Sequence, residues 1–346
     1  TYTLAFTMTH AMALVVIETP TIKYVLSTDN KYTWVAPAPN TTFYGFTPYS
    51  PSVGSYRYLV KPSTTGAADL YGSYTATNGN TIEYAVSPNI AAANYVCYKV
   101  DGATVTDINH TLQTGDFFMK DGSLVSKDIA TLTTAQQAAC VGVVYYVGDI
   151  TNTTNGDALL QKDHPSCTHG LVVALHDVGA DIIAWSTSYE GVNAWTNAAE
   201  RKNKQVNITE EYKMQGYSNT VALTAYNKES SNVQNDANLK VLPIAAIAGY
   251  AKNHPAPANS SGWYFPSIME LQYVCWGQGS SSGASGKELL NTQFNKVSGA
   301  SSLPRDFFWS SSEHDDYTTF GVDFGYLPLG FQVKKNVRFV RSILAF

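Results

Sequence analysis

A change of texture near residue 108 constrains this chain more than any other feature. Before it, short runs of alternating apolar residues are cut by Gly and Pro at roughly ten-residue spacing; after it, such runs alternate with segments that begin at helix caps. Successive side chains of a strand point to opposite faces, so alternation bounded by turn residues marks a half-buried strand. The pattern predicts strands at 12–17 (stopped by Pro20), 32–35 (stopped by Pro37 and Pro39), 56–60, 71–76, 81–86 and 95–100. Many short, evenly punctuated strands without a convincing helix predict a β-sandwich over residues 1–107. Tyr2, Leu4, Phe6 and Met8 already alternate, so the chain opens on a strand and a leader or processed segment is expected upstream.

From residue 108 to 346 the reading is α+β. Thr133 caps a run of good helix formers ending at Cys140. A helix is expected over 191–202, where Val192, Trp195 and Ala199 recur at spacings of three and four, and another over 239–252 with Pro243 in its first turn. Ser267 and Glu270 form a capping box that starts a helix over 268–276. A Gly/Ser loop at 277–286 leads to a helix over 287–295. Strands are expected at 307–310, 319–324, 330–334 and 338–346, an antiparallel C-terminal sheet with Trp309 and Phe324 in the core.

Composition narrows the function classes. Only 14% of the residues are charged while 23 are Tyr, which suits an extracellular β-rich protein. A net charge of −5 supplies no basic footprint, so nucleic acid is not an expected partner. No run of 18 or more apolar residues is present to span a membrane as a helix. The four cysteines, Cys97, Cys140, Cys167 and Cys275, show no CxxC spacing and read as scattered buried thiols, with room for one disulfide in an oxidising compartment.

Catalytic constellations are weak. His164, Cys167 and His169 are zinc-type ligands, but Pro165 breaks helical presentation and no second ligand pair matches them. No GxSxG stretch sits on a strand-to-helix elbow, and neither Cys167 with His169 nor Cys275 has an orienting acid. Adjacent carboxylates, Glu210-Glu211 or Asp315-Asp316, point to opposite faces of a strand and do not converge on one bond. No enzyme activity, metal or cofactor is therefore expected. The stretches FWSSSEHDDY at 308–317 and FGVDFGYLPLGF at 320–331 instead mix small hydroxyls, carboxylates, a His and aromatic rings, as a binding surface does. The expected ligand-binding residues are His314, Asp315, Asp316, Tyr317, Phe320, Tyr326, Leu327 and Phe331. Their rings would stack on a sugar or peptide, and the Asp pair and His would exchange hydrogen bonds.

The ordered series SGWYFPSIMEL at 261–271, FWSSSE at 308–313 and VRFVRSILAF at 337–346 resembles the C-type-lectin-like domains that end surface proteins of the Bacteroidales. LQTGDFFMKDG at 112–122 and HGLVVAL at 169–175 look like the start of the same domain. FTMTHAMALVVI at 6–17 resembles the fimbrillin β-sandwich of type V pili. Together the resemblances imply a pilus-tip adhesin at the cell surface, with other pilin subunits and an external glycan or protein as partners. They also imply outer-membrane association through a lipidated or processed N-terminal region. Some relatives of the C-terminal domain are diversified by retroelements at ligand-facing positions before a constant ending similar to residues 337–346. The Glu-Pro-Asn, Gln-Pro-Asp and Trp-Asn-Asp tripeptides of calcium-dependent lectins are absent, so the resemblance implies the fold without calcium-mediated sugar binding. Formylglycine-generating enzymes share a related fold but need paired cysteines, and the last third holds only Cys275. The alternative expectation is a structural or assembly pilin without an external ligand.

Overall fold

The computed structural model describes residues 11–26, 33–35, 49–52, 54–62, 70–75, 81–86, 89–151, 154–179, 182–201, 205–326 and 329–346. The strand expected at the opening residues, and Leu327, lie outside them. The chain divides into two compact units, Thr1–Thr111 and Leu112–Phe346.

The first unit contains β1 (Ala13–Glu18), β2 (Thr21–Leu26), β3 (Thr33–Val35), β4 (Tyr49–Ser52), β5 (Ser55–Val60), β6 (Leu70–Thr75), β7 (Thr81–Val86), β8 (Tyr95–Lys99) and β9 (Val105–His110). Alternation works here as expected. Ala13, Val15 and Ile17 of β1 are buried, and they meet Tyr56 and Tyr58 of the antiparallel neighbour β5. The pairing holds a feature that alternation does not carry: β1 runs parallel to β8 and β2 runs parallel to β9. Only Thr19 and Pro20 separate β1 from β2, and a 3-10 turn at Val100–Ala103 leads from β8 towards β9. The strand pairs β1–β2 and β8–β9 thus pass in parallel from a sheet of order β4-β5-β1-β8 into one of order β3-β2-β9. Parallel pairing needs a long crossover, which the chain between β1 and β8 supplies. Cys97 of β8 is exposed, unlike the other three cysteines, and all four are free thiols.

The second unit is built on an antiparallel sheet of order β11-β10-β12-β13-β19, formed by β10 (Phe117–Met119), β11 (Leu124–Val125), β12 (Cys140–Val147), β13 (Gly170–Asp177) and the C-terminal β19 (Arg341–Ala345). In both β12 and β13 the first six residues are buried, so their sequences are continuous apolar runs and show no alternation. A run of this kind marks a strand covered on both faces and is silent to a period-two search. β14 (Ile183–Ala184) pairs with β18 (Val337–Arg338), and β15 (Phe307–Glu313), β16 (Thr318–Asp323) and β17 (Leu329–Val333) form a third sheet in that order.

Eight helices among the described residues pack around these sheets: α1 (Thr134–Ala139), α2 (Ala158–Asp163), α3 (Asn193–Thr196), α4 (Gly216–Glu229), α5 (Ser231–Asn235), α6 (Leu242–Asn253), α7 (Ile268–Trp276) and α8 (Ser285–Phe294). α7 begins at its capping box as expected: the Glu270 side chain accepts from Ser267 N at 2.7 Å. It presents Leu271 and Val274 to a core shared with β12, β15 and β16, each worth roughly 1.5–3 kcal/mol of burial. The same Glu270 oxygen accepts from Gly216 N at 3.0 Å, tying the start of α4 to the start of α7. α6 carries Pro243 in its first turn, as expected.

The helix expected over 191–202 does not form as one piece. Only α3 and a 3-10 turn at Ala199–Arg201 appear. The amides of Val192 and Asn193 bind the buried Glu313 carboxylate, at 2.9 and 2.7 Å, which caps the start of α3. The carbonyls of Thr196 and Asn197, the acceptors a further turn would need, instead accept from Val206 N at 3.1 Å and Gln205 Nε2 at 3.2 Å. α4 was not evident from the sequence. Its Ser, Asn and Thr residues have low helix propensity, and burial of Asn219, Ala222, Leu223 and Tyr226 overrides it.

Candidate functional site

The stretch 308–317 divides at Glu313. Every residue of β15 is buried, including Ser310, Ser311 and Ser312. Their hydroxyls are occupied: Ser310 Oγ donates to Phe320 O at 2.8 Å, Ser311 Oγ accepts from Asn219 Nδ2 at 3.0 Å, and Ser312 Oγ accepts from Ile268 N at 3.1 Å. These hydroxyls, read from the sequence as part of a binding mixture, are an internal seam holding α4 and α7 to the sheet. Buried polar groups keep their hydrogen bonds because leaving one unmade costs about 1–3 kcal/mol. Trp309 packs inward, with its indole N–H donating to Ile183 O at 2.9 Å, and Phe324 is fully buried.

Beyond Glu313 the chain turns outward. Asp315 organises the turn: its Oδ1 accepts from Tyr317 N at 2.8 Å, Thr318 N at 2.7 Å and Thr318 Oγ1 at 2.9 Å. Its slight desolvation acts to raise the carboxyl, but the bonds from Thr318 and Tyr317, with the His314 ring, hold it below the usual range. Thr318 spends its hydroxyl proton on Asp315, so at 2.8 Å it accepts from His314 Nδ1, which also lies 3.1 Å from Asp315 Oδ2. The bond to Thr318 therefore places a ring proton on Nδ1. The His314 ring stacks on Phe331 at 4.1 Å with an interplanar angle of 1°, and meets Phe320 edge-on at 4.9 Å. Phe320 itself is buried, so among the expected contact residues it is a support beneath His314 and not a surface.

A buried ion pair anchors the turn from below. Lys334 Nζ binds the Glu313 carboxylate and donates to Glu190 O at 2.8 Å and Asp316 O at 3.0 Å. Burial pushes the Glu313 carboxyl up, while Lys334 and the amides of Val192 and Asn193 oppose that shift. Lys334 N also donates to Tyr317 O at 3.0 Å. The pair therefore locks the 314–317 turn, the end of β17 and the loop before α3 into one body. Asp316 sits so close over Gly191 that a Cβ there would lie 2.2 Å from its Oδ1.

Above this base lie exposed rings. Tyr317 is 62% exposed and 5.4 Å from the ring of Tyr189, over which Lys335 Nζ lies at 4.0 Å. Phe331 is also exposed. Tyr189 and Lys335 were not evident from the sequence, since Tyr189 joins Tyr317 only through the Glu313–Lys334 anchor. The structure thus brings together His314, Asp315, Asp316, Tyr317 and Phe331. Tyr326, 87% exposed, is held by Asp323 at the far end of β16, about 17 Å of extended chain away. It does not join the cluster.

The zinc-type residues do not converge. His164 Nε2 lies 3.1 Å from Tyr217 Oη, Cys167 Sγ faces Asn259 O, and His169 stacks with Phe346. Among the described residues no group of three or more His, Cys, Asp or Glu is placed to hold a metal ion, and no helix is long and apolar enough to cross a membrane.

No protein-family model matches the chain. A Bacteroides ovatus protein named "Putative fimbrium tip subunit Fim1C" is 27% identical, in an alignment covering 93% of this chain and 63% of that protein. The chain therefore spans about 63% of the length of that relative. A crystal structure of a fimbrial protein from Bacteroides ovatus superposes with a TM-score of 0.58 at 24% identity, over 98% of this chain and 71% of the other. The chain has the fold of a fimbrial protein. Its likenesses are to components of the cell-surface fimbrium, which is where they locate it.

Proposed function

We propose that this chain is a non-enzymatic subunit of a fimbrium tip that binds an external glycan or protein through a C-type-lectin-like second unit, with other pilin subunits as its partners in the shaft. In this reading the first unit is the fimbrillin-like part, and association with the outer membrane runs through a lipidated or processed N-terminal region. The observation that carries the ligand-binding reading is the cluster of Tyr189, His314, Asp315, Tyr317 and Phe331 on a base fixed by Glu313 and Lys334. Aromatic rings on a base tied by buried hydrogen bonds lose little entropy on binding, and the Asp315 carboxylate adds direction. The name of the Bacteroides ovatus tip relative supports the placement.

A glycan and host-protein array probed with the chain tests this. Tyr317→Ala with Phe331→Ala is expected to weaken the retained ligand at least about tenfold, the range of a lost aromatic anchor. Binding unchanged in that double variant would remove the site. A second reading, an assembly pilin without its own ligand, draws on β17, the outer strand of its sheet, with Phe331 and Val333 exposed. It predicts silence on the array and strand addition along β17.

A further inference from the structure

A cleft of about 430 Å³ opens in the second unit between α2 and the segment that leads into α4. It shares no residue with the 314–331 cluster. Two lysines, Lys162 and Lys213, line it, although the chain carries a net charge of −5. Neither has a hydrogen-bonding or ion-pair partner for its ammonium among the described residues.

Two carboxylates close to the lining take hydrogen bonds from other groups. Asp157 accepts from the amides of Leu159, Leu160 and Ser218 and from the Ser218 hydroxyl. Glu210 accepts from Asn207 Nδ2 at 3.1 Å. No carboxylate therefore forms an ion pair with Lys162 or Lys213 among the described residues.

Gln215 adds a directed polar group. It is only 5% exposed, and its Nε2 donates to Asn207 O at 2.7 Å and Asn219 Oδ1 at 3.0 Å. That fixes the amide and leaves Oε1 an acceptor without a protein donor where the residue lines the cleft. Leu159 and Val206 supply an apolar wall.

Two cations, a fixed acceptor and an apolar wall match one chemistry: an anionic group on a compact body that carries hydroxyls and one apolar face. We infer that this cleft binds an acidic sugar residue, its carboxylate or sulfate held by Lys162 and Lys213 and a hydroxyl donating to Gln215. The volume fits one or two sugar units, at the small end of ligand sites.

The test uses the full chain and ligand-detected NMR titrations with glucuronic acid, N-acetylneuraminic acid, glucose 6-sulfate and neutral glucose. The acidic sugars are expected to bind in the millimolar range, as single sugar units do, and glucose is not. Lys162→Gln with Lys213→Gln, both surface-side changes, is expected to weaken binding at least about tenfold, and raising salt from about 50 to about 300 mM should weaken it further. Binding of the uronic and sialic acids alone identifies a carboxylate as the ligand group, and binding of the sulfate alone identifies a sulfate. Glucose binding as well as the acids, no acidic sugar binding, or an unaffected double-lysine variant would each overturn the assignment. The Tyr317→Ala/Phe331→Ala variant should bind the acidic sugar as the parent does. Loss there would show that the two surfaces are not separate sites.

Discussion

Single buried groups of the second unit carry charge states that make it sensitive to pH. Glu270 is fully buried, and desolvation pushes its carboxyl up from 4.5 to about 7 against the hydrogen bonds from Ser267. A carboxyl whose folded pKa is raised stabilises the fold below its unfolded pKa, and that contribution is lost as pH rises through the folded value. Between about pH 4.5 and 7 Glu270 alone should remove roughly 3 kcal/mol. Burial moves Asp157 and Glu313 the same way, so the full slope is shared. Urea midpoints at pH 5 and pH 8 should differ clearly in the parent, and less in Glu270→Gln, which keeps an acceptor for Ser267 N and Gly216 N. An unchanged pH slope in that variant would locate the effect elsewhere. The Glu313–Lys334 pair is the second case. Lys334→Met strands a buried carboxylate and should cost about 3–5 kcal/mol, whereas Glu313→Gln with Lys334→Met should recover much of it. Chemical denaturation of the parent and the two variants decides whether the pair is the anchor of the 314–317 turn.

Elements are held to one another at a few points of close approach, and glycines report them. Gly216 begins α4 where an added Cβ would lie 2.2 Å from Glu270 Oε2 and 2.7 Å from Phe265 O. Gly216→Ala must push α4 away from α7 and should destabilise by about 1–3 kcal/mol. Gly249, within α6, has nothing near its Cβ position. Gly249→Ala should stabilise by about 0.5–1 kcal/mol through helix propensity alone. Thermal melts of the two variants should therefore shift in opposite directions. The elements legible in the sequence were those whose signal is local: α7 from its capping box, α6 from its proline, β1 and β5 from alternation. β12, β13 and α4 were missed because burial on several sides removes periodicity, and α3 was overestimated because Val206 and Gln205 take the carbonyls of Thr196 and Asn197 that a longer helix would need.

At the scale of the whole chain, the two units have separate cores, one around Val15, Ile17, Tyr56 and Tyr58 and the other around α7 and the five-stranded sheet. Each core is expected to form without the other. Residues 112–346 expressed alone should unfold in one cooperative transition that coincides with a transition of the full chain, as followed by calorimetry. A fragment without such a transition would show that the second unit depends on the first. Both units close long loops, β1 onto β8 in the first and β13 onto β19 in the second, so neither core forms from local contacts alone.

The sequence by itself determined where helix α7 begins, that Pro243 lies in the first turn of α6, where the first unit's strands alternate, and that charge is sparse. Those properties depend on residues within a turn or two of one another. Only the tertiary structure decided which polar residues face water. Ser310, Ser311 and Ser312 read like His314, Asp315 and Tyr317, yet the first three are buried against α4 and α7 while the turn that follows is exposed. The same holds for Tyr189, which joins the cluster because a lysine and a glutamate bury each other beneath it. Burial of Ser311 and Ser312 is a property of neighbours brought from 92 and 44 residues away, and no local pattern encodes it.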